Sequence, residues 1–447
     1  MKFRVERDSL GEAVAWVARA LPLRPVVPVL SGLLLQAGAD GLTLSCFDYE
    51  VSARIRIDAE VAEPGTVLVP GRLLAEITRS LPPAPAEFSC ITDMVSITCG
   101  SAEFTLVSLP AQEYPALPEP APAAGTIDGG VLAAAAAQVV PSASKDDTLP
   151  MLTGVCLDID GQTMTLAATD RYRLAVSEVT WAPASAGIQA SALVPARTLA
   201  DVARTMAAGV PVTLSFGTGQ LTAAGDPAET QSGTDLPGPA AQAAADRRSG
   251  DGMITFEGGG RRLTARLIAG EFIKYRSRFP AEFGCRAELP AGPFIEAVRR
   301  VSLVAERASP VQLAFAPDEV VIEAHAEGRA RAVESVAAEF SGTEPVISFN
   351  PHYLLDGLTA ATLAGAAPPG AGRRPDSPAD PGAGPTPQAG RIRLEFTSAT
   401  KPALITWAAH TDQEAAEQEA APHTDQEGAG SPAFRYLVVP LRAPVRS

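Results

Sequence analysis

Arginines spaced seven residues apart recur in segments that have the apolar pattern of helices. Two pairs show this spacing and a third helical segment adds further cations: Arg72 with Arg79, Arg197 with Arg204, then Arg299, Arg300 and Arg307. Seven residues make about two helical turns, so both side chains of a pair leave one helix face. Such cations suit contact with phosphate groups, which requires charge and no reading of bases. An ordinary solvated helix face is the alternative, and the recurrence at matching positions favours phosphate contact.

Residues that could support catalysis are sparse and poorly spaced. The four histidines have no partner at metal-ligand spacing: His325, His352, His410 and His423. Neither a GxxxxGK(S/T) phosphate loop nor a GxSxG nucleophile motif occurs. Asp48 and Asp170 occupy matching positions of a repeat, which indicates a structural turn and argues against a catalytic pair. An enzyme of unknown type is a distant alternative, and we expect no cofactor and no metal.

Charge and cysteine usage narrow the class of protein. The net charge of −15 argues against a protein that coats nucleic acid with its whole surface, but it permits a local basic lining. Five cysteines, an odd number, are scattered along the chain, which is typical of free thiols: Cys46, Cys90, Cys99, Cys156 and Cys285. No apolar run approaches the ~20 residues of a membrane span, and no signal-peptide pattern is present. We therefore expect a cytoplasmic protein without membrane attachment.

One strand–strand–strand–helix pattern occurs three times. Its clearest copy runs from Thr163 to Met206 and ends in an amphipathic helix with Leu199 and Val202 on one face. The same order occurs from Leu42 to Leu81 and, less regularly, from Val320 to Leu358. Three copies of a mixed unit in a chain of 447 residues predict three tandem domains.

A linker separates the first two repeats, and three inserts interrupt the second and third. We predict domains at 1–120, 126–283 and 284–447, the first two separated by a Pro/Ala-rich stretch at 113–125. Segments without periodicity interrupt the second and third domains at about 225–252, 364–390 and 410–432, and the last contains HTDQE twice. Their composition predicts flexible loops.

Motifs along the whole chain resemble one protein family. In family order they include MKFRVERDSLGEAVAWVARALPLRP, SCFDYEVSARI, TVLVPGRLLAEI, EYPALP, DDTLPMLTGVCLDI, ATDRYRLAV, FNPHYLLDGL, TSATKPAL and RYLVVPLR. The chain is similar to the bacterial DNA polymerase III beta subunit, the DNA sliding clamp, of actinobacterial type. The resemblance implies an α+β fold of three tandem DNA-clamp domains. It also implies a head-to-tail homodimeric ring, with sheets outside and helices lining a hole for duplex DNA.

The resemblance implies functional surfaces rather than an active site, because the family is a non-catalytic processivity factor. Arg24 lies in a loop where relatives touch DNA, and it joins the two arginine pairs as a non-specific contact to double-stranded DNA. Phe104 and Leu106 on an edge strand are expected to meet the Leu303 region of a second copy. The polymerase, the clamp loader and other partners are expected to dock through short peptides in one pocket: Leu152, Thr169, Arg171, Tyr172, Arg173, Leu174, Ile273, Ser277, Arg278, Asn350, Tyr353, Pro402, Val438, Val439, Pro440 and Leu441.

Three pocket positions depart from the family pattern. Ile273 stands where relatives usually have Pro, Arg278 where they commonly have an apolar residue, and Val439 where they have Met. These differences support an alternative function within the same family. The chain would then be a paralogous clamp whose altered pocket gives self-resistance to a clamp-binding antibiotic, such as a cyclic peptide.

Overall fold

The computed structural model describes residues 1–206, 209–217, 252–305, 309–326, 329–343, 346–365, 390–408 and 433–441. The three predicted inserts lie almost entirely outside these ranges. The described residues form an α+β fold with nine strands and two α-helices in each of three repeats. The predicted fold class and the predicted repeat are therefore confirmed.

The first repeat spans residues 2–107. Its elements are β1 (Lys2–Val5), α1 (Arg7–Val17), β2 (Gly32–Gly38), β3 (Gly41–Phe47), β4 (Val51–Ile57), β5 (Glu60–Glu63), β6 (Gly65–Pro70), α2 (Gly71–Ser80), β7 (Ala86–Ile91), β8 (Met94–Cys99) and β9 (Ala102–Val107).

The second repeat follows the same order between residues 123 and 266. Its elements are β10 (Ala123–Asp128), α3 (Gly129–Val139), β11 (Gly154–Asp160), β12 (Thr163–Thr169), β13 (Arg173–Thr180), β14 (Ala182–Pro183), β15 (Gln189–Pro195), α4 (Ala196–Thr205), β16 (Pro211–Phe216), β17 (Met253–Gly258) and β18 (Arg261–Arg266).

The third repeat completes the described chain. Its elements are β19 (Cys285–Pro290), α5 (Ala291–Ser302), β20 (Val311–Phe315), β21 (Glu319–Ala326), β22 (Ala330–Ala337), β23 (Glu339–Ser341), β24 (Val346–Phe349), α6 (Pro351–Gly365), β25 (Arg391–Phe396), β26 (Ala403–Ala408) and β27 (Phe434–Val438).

The three repeats are distributed over two compact units. Unit 1 contains Met1–Gly129, Trp181–Ala190 and Val210–Ile268, and unit 2 contains Gly130–Thr180, Ser191–Gly209 and Ala269–Ser447. The predicted domain boundaries fall between β9 and β10 and between β18 and β19, at the ends of repeats. The compact units instead divide the second repeat, because its strands join sheets with both of its neighbours in sequence.

Each unit contains one nine-stranded sheet that joins two repeats. In unit 1 the order is β14-β10-β16-β17-β18-β4-β3-β2-β6, and in unit 2 it is β15-β11-β12-β13-β27-β26-β25-β19-β23. The seams are antiparallel pairs of β18 with β4 and of β27 with β13, with partners Leu263–Ala53 and Tyr436–Ala175. Unit 1 also contains the sheet β5-β1-β7-β8-β9, and unit 2 the sheet β22-β21-β20-β24.

Apolar stripes of two helices face the cores. Leu199 and Val202 of α4 are fully buried, as the sequence predicts, and so are Leu10, Val14 and Val17 of α1. Burial of these stripes removes apolar surface from water and fixes each helix against its sheet. The amphipathic pattern of α4 therefore predicted the orientation of this helix about its own axis.

The matching aspartates form matching turns. Oδ1 of Asp48 accepts hydrogen bonds from the backbone N–H groups of Glu50 and Val51, at 3.0 and 2.7 Å. Oδ1 of Asp170 likewise accepts from Tyr172 and Arg173, at 3.0 and 3.1 Å. Each turn holds a non-glycine residue at positive φ, 73° at Tyr49 and 79° at Arg171. A short acceptor that bonds the backbone two and three residues onward stabilises such turns, so the predicted structural role is confirmed.

The cysteines are free thiols, as predicted. Four are buried and Cys90 is half-buried. Burial raises the pKa of the Cys46 and Cys156 thiols to about 12, which keeps them protonated and unreactive at neutral pH. In the described part of the chain, no helix has the length and apolar character needed to span a membrane.

Candidate functional site

A cavity of about 460 Å³ opens in unit 2. Its walls come from β12, β13 and β27 and from the loops beside them: Leu152, Thr169, Arg171, Tyr172, Arg173, Leu174, Ile273, Arg278, Pro402, Leu437 and Val439. Leu152, Leu174 and Leu437 are each 5–6% exposed and give it an apolar floor. Ten of these eleven residues belong to the predicted pocket, so the structure brings most of that set together at one cavity.

The remaining predicted pocket residues support the cavity from behind or beside it. Asn350 caps α6, because its Oδ1 accepts the backbone N–H of His352 at 2.9 Å. Tyr353 stacks on Tyr172 with ring centroids 6.1 Å apart. The other four lie outside the lining: Ser277, Val438, Pro440 and Leu441. Leu441 is tied to β24 through its N–H, which donates to the carbonyl of Ser348 at 2.8 Å.

Leu437 is the lining residue that sequence reasoning missed, in favour of its neighbour Val438. Leu437 and Val438 are successive strand residues, so their side chains point to opposite faces of the sheet. Val438 is fully buried opposite Arg173 in the seam, and Leu437 lines the cavity. The alternation was visible in FRYLVVPLR, but the sequence did not show which face of the strand meets the pocket.

Arg173 connects β13 to α6 behind the cavity. Its side chain is 8% exposed, and its Nε and Nη1 donate to Asp170 at 3.0 Å and to Asp356 at 2.5 Å. Nη2 donates to the carbonyl of Pro141 at 2.5 Å, and the guanidinium lies 4.5 Å from the centroid of the Tyr353 ring. A buried cation requires such pairing. Arg173 thus joins β13 to Asp356 and Tyr353 of α6.

The segment that carries Ile273 and Arg278 is anchored by Tyr275. This side chain is 4% exposed, and its hydroxyl donates to Oδ2 of Asp158 at 2.7 Å. Burial, and then the hydrogen bond to Asp158, raise the pKa of Tyr275 above its ordinary value. The anchor holds the segment in place, while Ile273 remains half-buried and Arg278 exposed at the cavity.

In the first repeat, side chains of the chain itself fill the region that corresponds to the cavity. Phe47 occupies the position that Thr169 has in the second repeat, and it is 8% exposed. The hydroxyl of Tyr114 accepts the backbone N–H of Phe47 at 2.7 Å. Leu109 and Tyr114 pack against the buried cluster around Leu30 and Leu68. The first repeat thus covers with its own chain the apolar surface that the second repeat leaves open.

The predicted phosphate-contacting arginines are exposed. Arg24 lies in a loop of unit 1, Arg72 and Arg79 on α2, and Arg197 and Arg204 on α4 of unit 2. Nη2 of Arg72 donates to the carbonyl of Pro22 at 3.1 Å, which ties α2 to the loop of Arg24. Arg204 forms an ion pair with Asp201, so its charge is partly neutralised.

The arginines expected from the third repeat do not match the pattern. Arg299 and Arg300 lie on α5, which corresponds to α1, whereas α6 corresponds to the arginine-bearing helices. Both are paired with Glu296, and Arg300 also contacts Glu334 at 2.5 Å. Arg307 lies outside the described residues. Their spacing alone did not reveal these carboxylate partners, one of which comes from a distant strand.

One edge strand of each smaller sheet, β9 in unit 1 and β22 in unit 2, corresponds to a strand that forms a seam in another repeat. β9 is the last strand of its repeat, as β18 and β27 are, and β22 follows β21 as β4 follows β3 and β13 follows β12. Within the described residues, β9 and β22 each have a neighbouring strand on one side only. Phe104 on β9 is half-buried, Leu106 is 3% exposed, and Leu303 after α5 is 83% exposed. The Leu106 side chain thus packs into its own unit.

Comparisons with known proteins agree along the whole chain. Family models match residues 1–118, 126–234 and 276–365 as the DNA polymerase III beta subunit N-terminal, central and C-terminal domains. The beta sliding clamp of Streptomyces coelicolor is 45% identical over 442 residues, covering 99% of each chain. The beta sliding clamp homolog GriR of Streptomyces muensis is 41% identical over 360 residues, covering 80% of this chain and 88% of that one.

A solved structure shows the same fold. The sliding clamp from Pseudomonas aeruginosa bound to griselimycin has a TM-score of 0.74 and 22% identity, covering 99% of this chain and 100% of that one.

Proposed function

The chain belongs to the DNA polymerase III beta subunit family of bacterial DNA sliding clamps, and from this premise we propose how its residues serve that function. It is a DNA sliding clamp that encircles duplex DNA and tethers the replicative polymerase and other partners. The family consists of processivity factors, so we infer that the chain itself catalyses no reaction. A replication clamp acts on chromosomal DNA, and we infer that it works in the cytoplasm.

The pairing rule of the two seams supports a closed ring. In both seams the last strand of one repeat pairs with the strand that follows the aspartate turn of another repeat. In the third repeat, β22 occupies the place of that strand. β9 and β22 are the remaining strands of these two kinds, and they lie in one chain at opposite ends of the repeat order. β9 of one copy therefore pairs with β22 of a second copy, and two such contacts close a head-to-tail dimer in which neither of these two edges is left exposed.

The registers of the two seams also predict which residues of β9 and β22 lie opposite each other. Phe104 pairs with Ile97 within its hairpin, as Leu263 pairs with Phe256 and Tyr436 with Ile405. Ala332 pairs with Ala324, as Ala53 pairs with Cys46 and Ala175 with Ala168. Phe104 should accordingly lie opposite Ala332 of the second copy.

The helix beside the first seam supports a role for Leu303 in this contact. In unit 1, Arg261 of β18 forms an ion pair with Glu12 of α1 and lies 5.8 Å from the Trp16 ring. Helix α5 contacts β22 as α1 contacts β4. The C-terminal end of α5 therefore faces β9 of the second copy, where exposed Leu303 becomes buried.

Exposed arginines of each unit contact DNA. Arg24, Arg72, Arg79 and Arg197 are exposed, and no ion pair with described residues neutralises them. Contacts to phosphates carry no sequence information, which suits a clamp that slides along any duplex. The net charge of −15 leaves the rest of the surface repulsive to DNA.

The cavity of unit 2 serves as the docking pocket for partner peptides. Its apolar floor can bury apolar side chains of a peptide. The contacts of Arg173 hold β13 and α6 together beside the cavity. Binding energy gained at a preformed pocket is not spent on ordering the protein. The polymerase and the clamp loader would compete for this pocket.

A second candidate function rests on where the departures from the family pattern lie. Ile273, Arg278 and Val439 all line the one cavity. Ile273 frees a backbone dihedral that proline would fix, Arg278 adds a cation, and Val439 lacks the reach of methionine. A rigid ligand fitted to the usual pocket loses more from such changes than a flexible peptide that can repack. We propose that this chain could replace an ordinary clamp in the presence of a clamp-binding antibiotic.

Restoring the family residues should restore inhibitor affinity. The variant with Ile273→Pro, Arg278→Leu and Val439→Met should bind griselimycin more tightly than the natural chain by a factor on the order of 100, at about 1 kcal/mol per position. A linear peptide with apolar anchors should gain less than tenfold. Titration calorimetry on both proteins measures the two changes. Equal inhibitor affinity in the two proteins would remove the resistance function and leave an ordinary clamp.

A further inference from the structure

Three arginines line the cavity, and the structure neutralises one of them. Arg173 is held by Asp170 and Asp356. Arg171 and Arg278 are exposed, and neither side chain forms an ion pair or a hydrogen bond with the residues that the structure describes. The lining of the cavity includes no aspartate or glutamate. Three arginines against these two carboxylates therefore leave a net positive charge at the opening of an apolar pocket.

The surroundings of these arginines keep the opening basic. Arg278 shares the segment 274–278 with Lys274 and Arg276, although the chain as a whole has a net charge of −15. Asp146 is the carboxylate whose pKa Arg171 influences. That pKa is lowered first by hydrogen bonds from Thr148, and Arg171 adds the smallest contribution. Asp146 accepts both the N–H and the hydroxyl of Thr148, which keeps it ionised, but among the described residues it forms no ion pair with Arg171.

We propose that this pocket selects peptides that carry a carboxylate beside their apolar anchors, with Arg278 and Arg171 as the specificity-determining residues. The proposal rests on the pocket being the partner-peptide site. A peptide whose apolar side chains reach Leu152, Leu174 and Leu437 displaces water from the opening as well as from the floor. Both guanidinium groups then lose hydration, and a peptide carboxylate restores their interactions, whereas a neutral amide does so only weakly.

Charge at the opening also affects how partners arrive. A positive opening on an acidic protein attracts acidic peptides at long range and repels basic ones. The selection is therefore expected to weaken as salt is raised, because exposed charges are screened. Apolar anchoring at the floor should depend far less on salt. Salt dependence thus separates the contribution of the arginines from that of the floor.

The test uses paired synthetic peptides. Three blocked hexapeptides, each with two leucines and one phenylalanine as anchors, carry a single Asp at different non-anchor positions, and each has an Asn twin. Calorimetry with the full-length protein at low salt should show at least one Asp peptide binding about tenfold more tightly than its Asn twin. In Arg278→Gln and Arg171→Gln the ratio should fall towards one, whatever the change in the affinity of the Asn twins.

Arg276→Gln is the matched control. Arg276 lies in the same segment, but its guanidinium lies 5.6 Å from the centroid of the Tyr275 ring and it does not line the cavity. This variant should keep the full preference for Asp. Equal binding of all Asp and Asn twins would overturn the selectivity and leave the peptide pocket intact. A preference that survives both Arg278→Gln and Arg171→Gln would overturn the assignment to these residues. Failure of every peptide to bind would instead contradict the pocket function itself.

Discussion

Leu303→Asp should convert the protein from a dimer to monomers at micromolar concentration. Leu303 is 83% exposed in the single chain, so the substitution should leave the folding of each copy nearly unchanged. In the ring it places a carboxylate in an apolar contact with β9 of the second copy, at a cost of about 2 kcal/mol for a central contact. A ring of two copies contains two equal interfaces, so the dimer should weaken by about a thousandfold. Sedimentation velocity over a concentration series measures the change.

Leu23→Asp is the matched control for this experiment. Leu23 is 82% exposed, nearly the same as Leu303, but it belongs to the loop of Arg24 and not to β9, β22 or the end of α5. This variant should remain a dimer. If Leu303→Asp also remained fully dimeric at low micromolar concentration, the pairing of β9 with β22 would be wrong.

Reversing four arginine charges should abolish retention on DNA without opening the ring. The variant replaces Arg24, Arg72, Arg79 and Arg197 by Glu, and all four side chains are exposed. Each lost phosphate contact should reduce the slope of log affinity against log salt by about 0.9. Filter binding across a salt series measures the slope, and gel filtration on a nicked plasmid measures retention. Arg204 is left unchanged because Asp201 already pairs with it.

A second variant separates local contacts from net charge. Replacing Lys2, Arg4, Arg54 and Arg56 by Glu makes the same change in net charge at exposed positions of β1 and β4. This variant should retain most of its DNA affinity at physiological salt, where exposed charges act over about 8 Å. Equal losses in the two variants would show that overall charge, and not the proposed lining, controls binding.

Local chemistry made the repeat predictable from sequence. The Asp48 and Asp170 turns need only a short acceptor and three following residues, and the apolar stripes of α1 and α4 need only helical periodicity. These features are encoded within a few residues, so their prediction required no knowledge of the tertiary fold. The resemblance to a family then supplied the pocket, whose residues come from widely separated parts of the chain.

The features that sequence reasoning missed depend on contacts between distant segments. Leu437 and Val438 exchange roles because the seam with β13 determines which face of β27 meets the cavity. Arg300 is neutralised by Glu334, thirty-four positions away, so helix periodicity cannot reveal its loss of free charge. Leu106 alternates as an edge-strand residue should, yet its side chain fills the core of unit 1. In each case the sequence leaves two possible environments for a residue. The packing of distant segments determines which of the two the residue occupies.

Retention of the natural protein on circular and linear DNA tests the central claim most directly. The protein is loaded onto a nicked plasmid by a bacterial clamp loader with ATP, and half of the sample is then linearised with a restriction enzyme. A closed ring held by topology should stay on the circle through gel filtration in high salt and be lost from the linear molecule, because it slides off the ends. Equal retention on both forms, or loss from both, would contradict a sliding clamp.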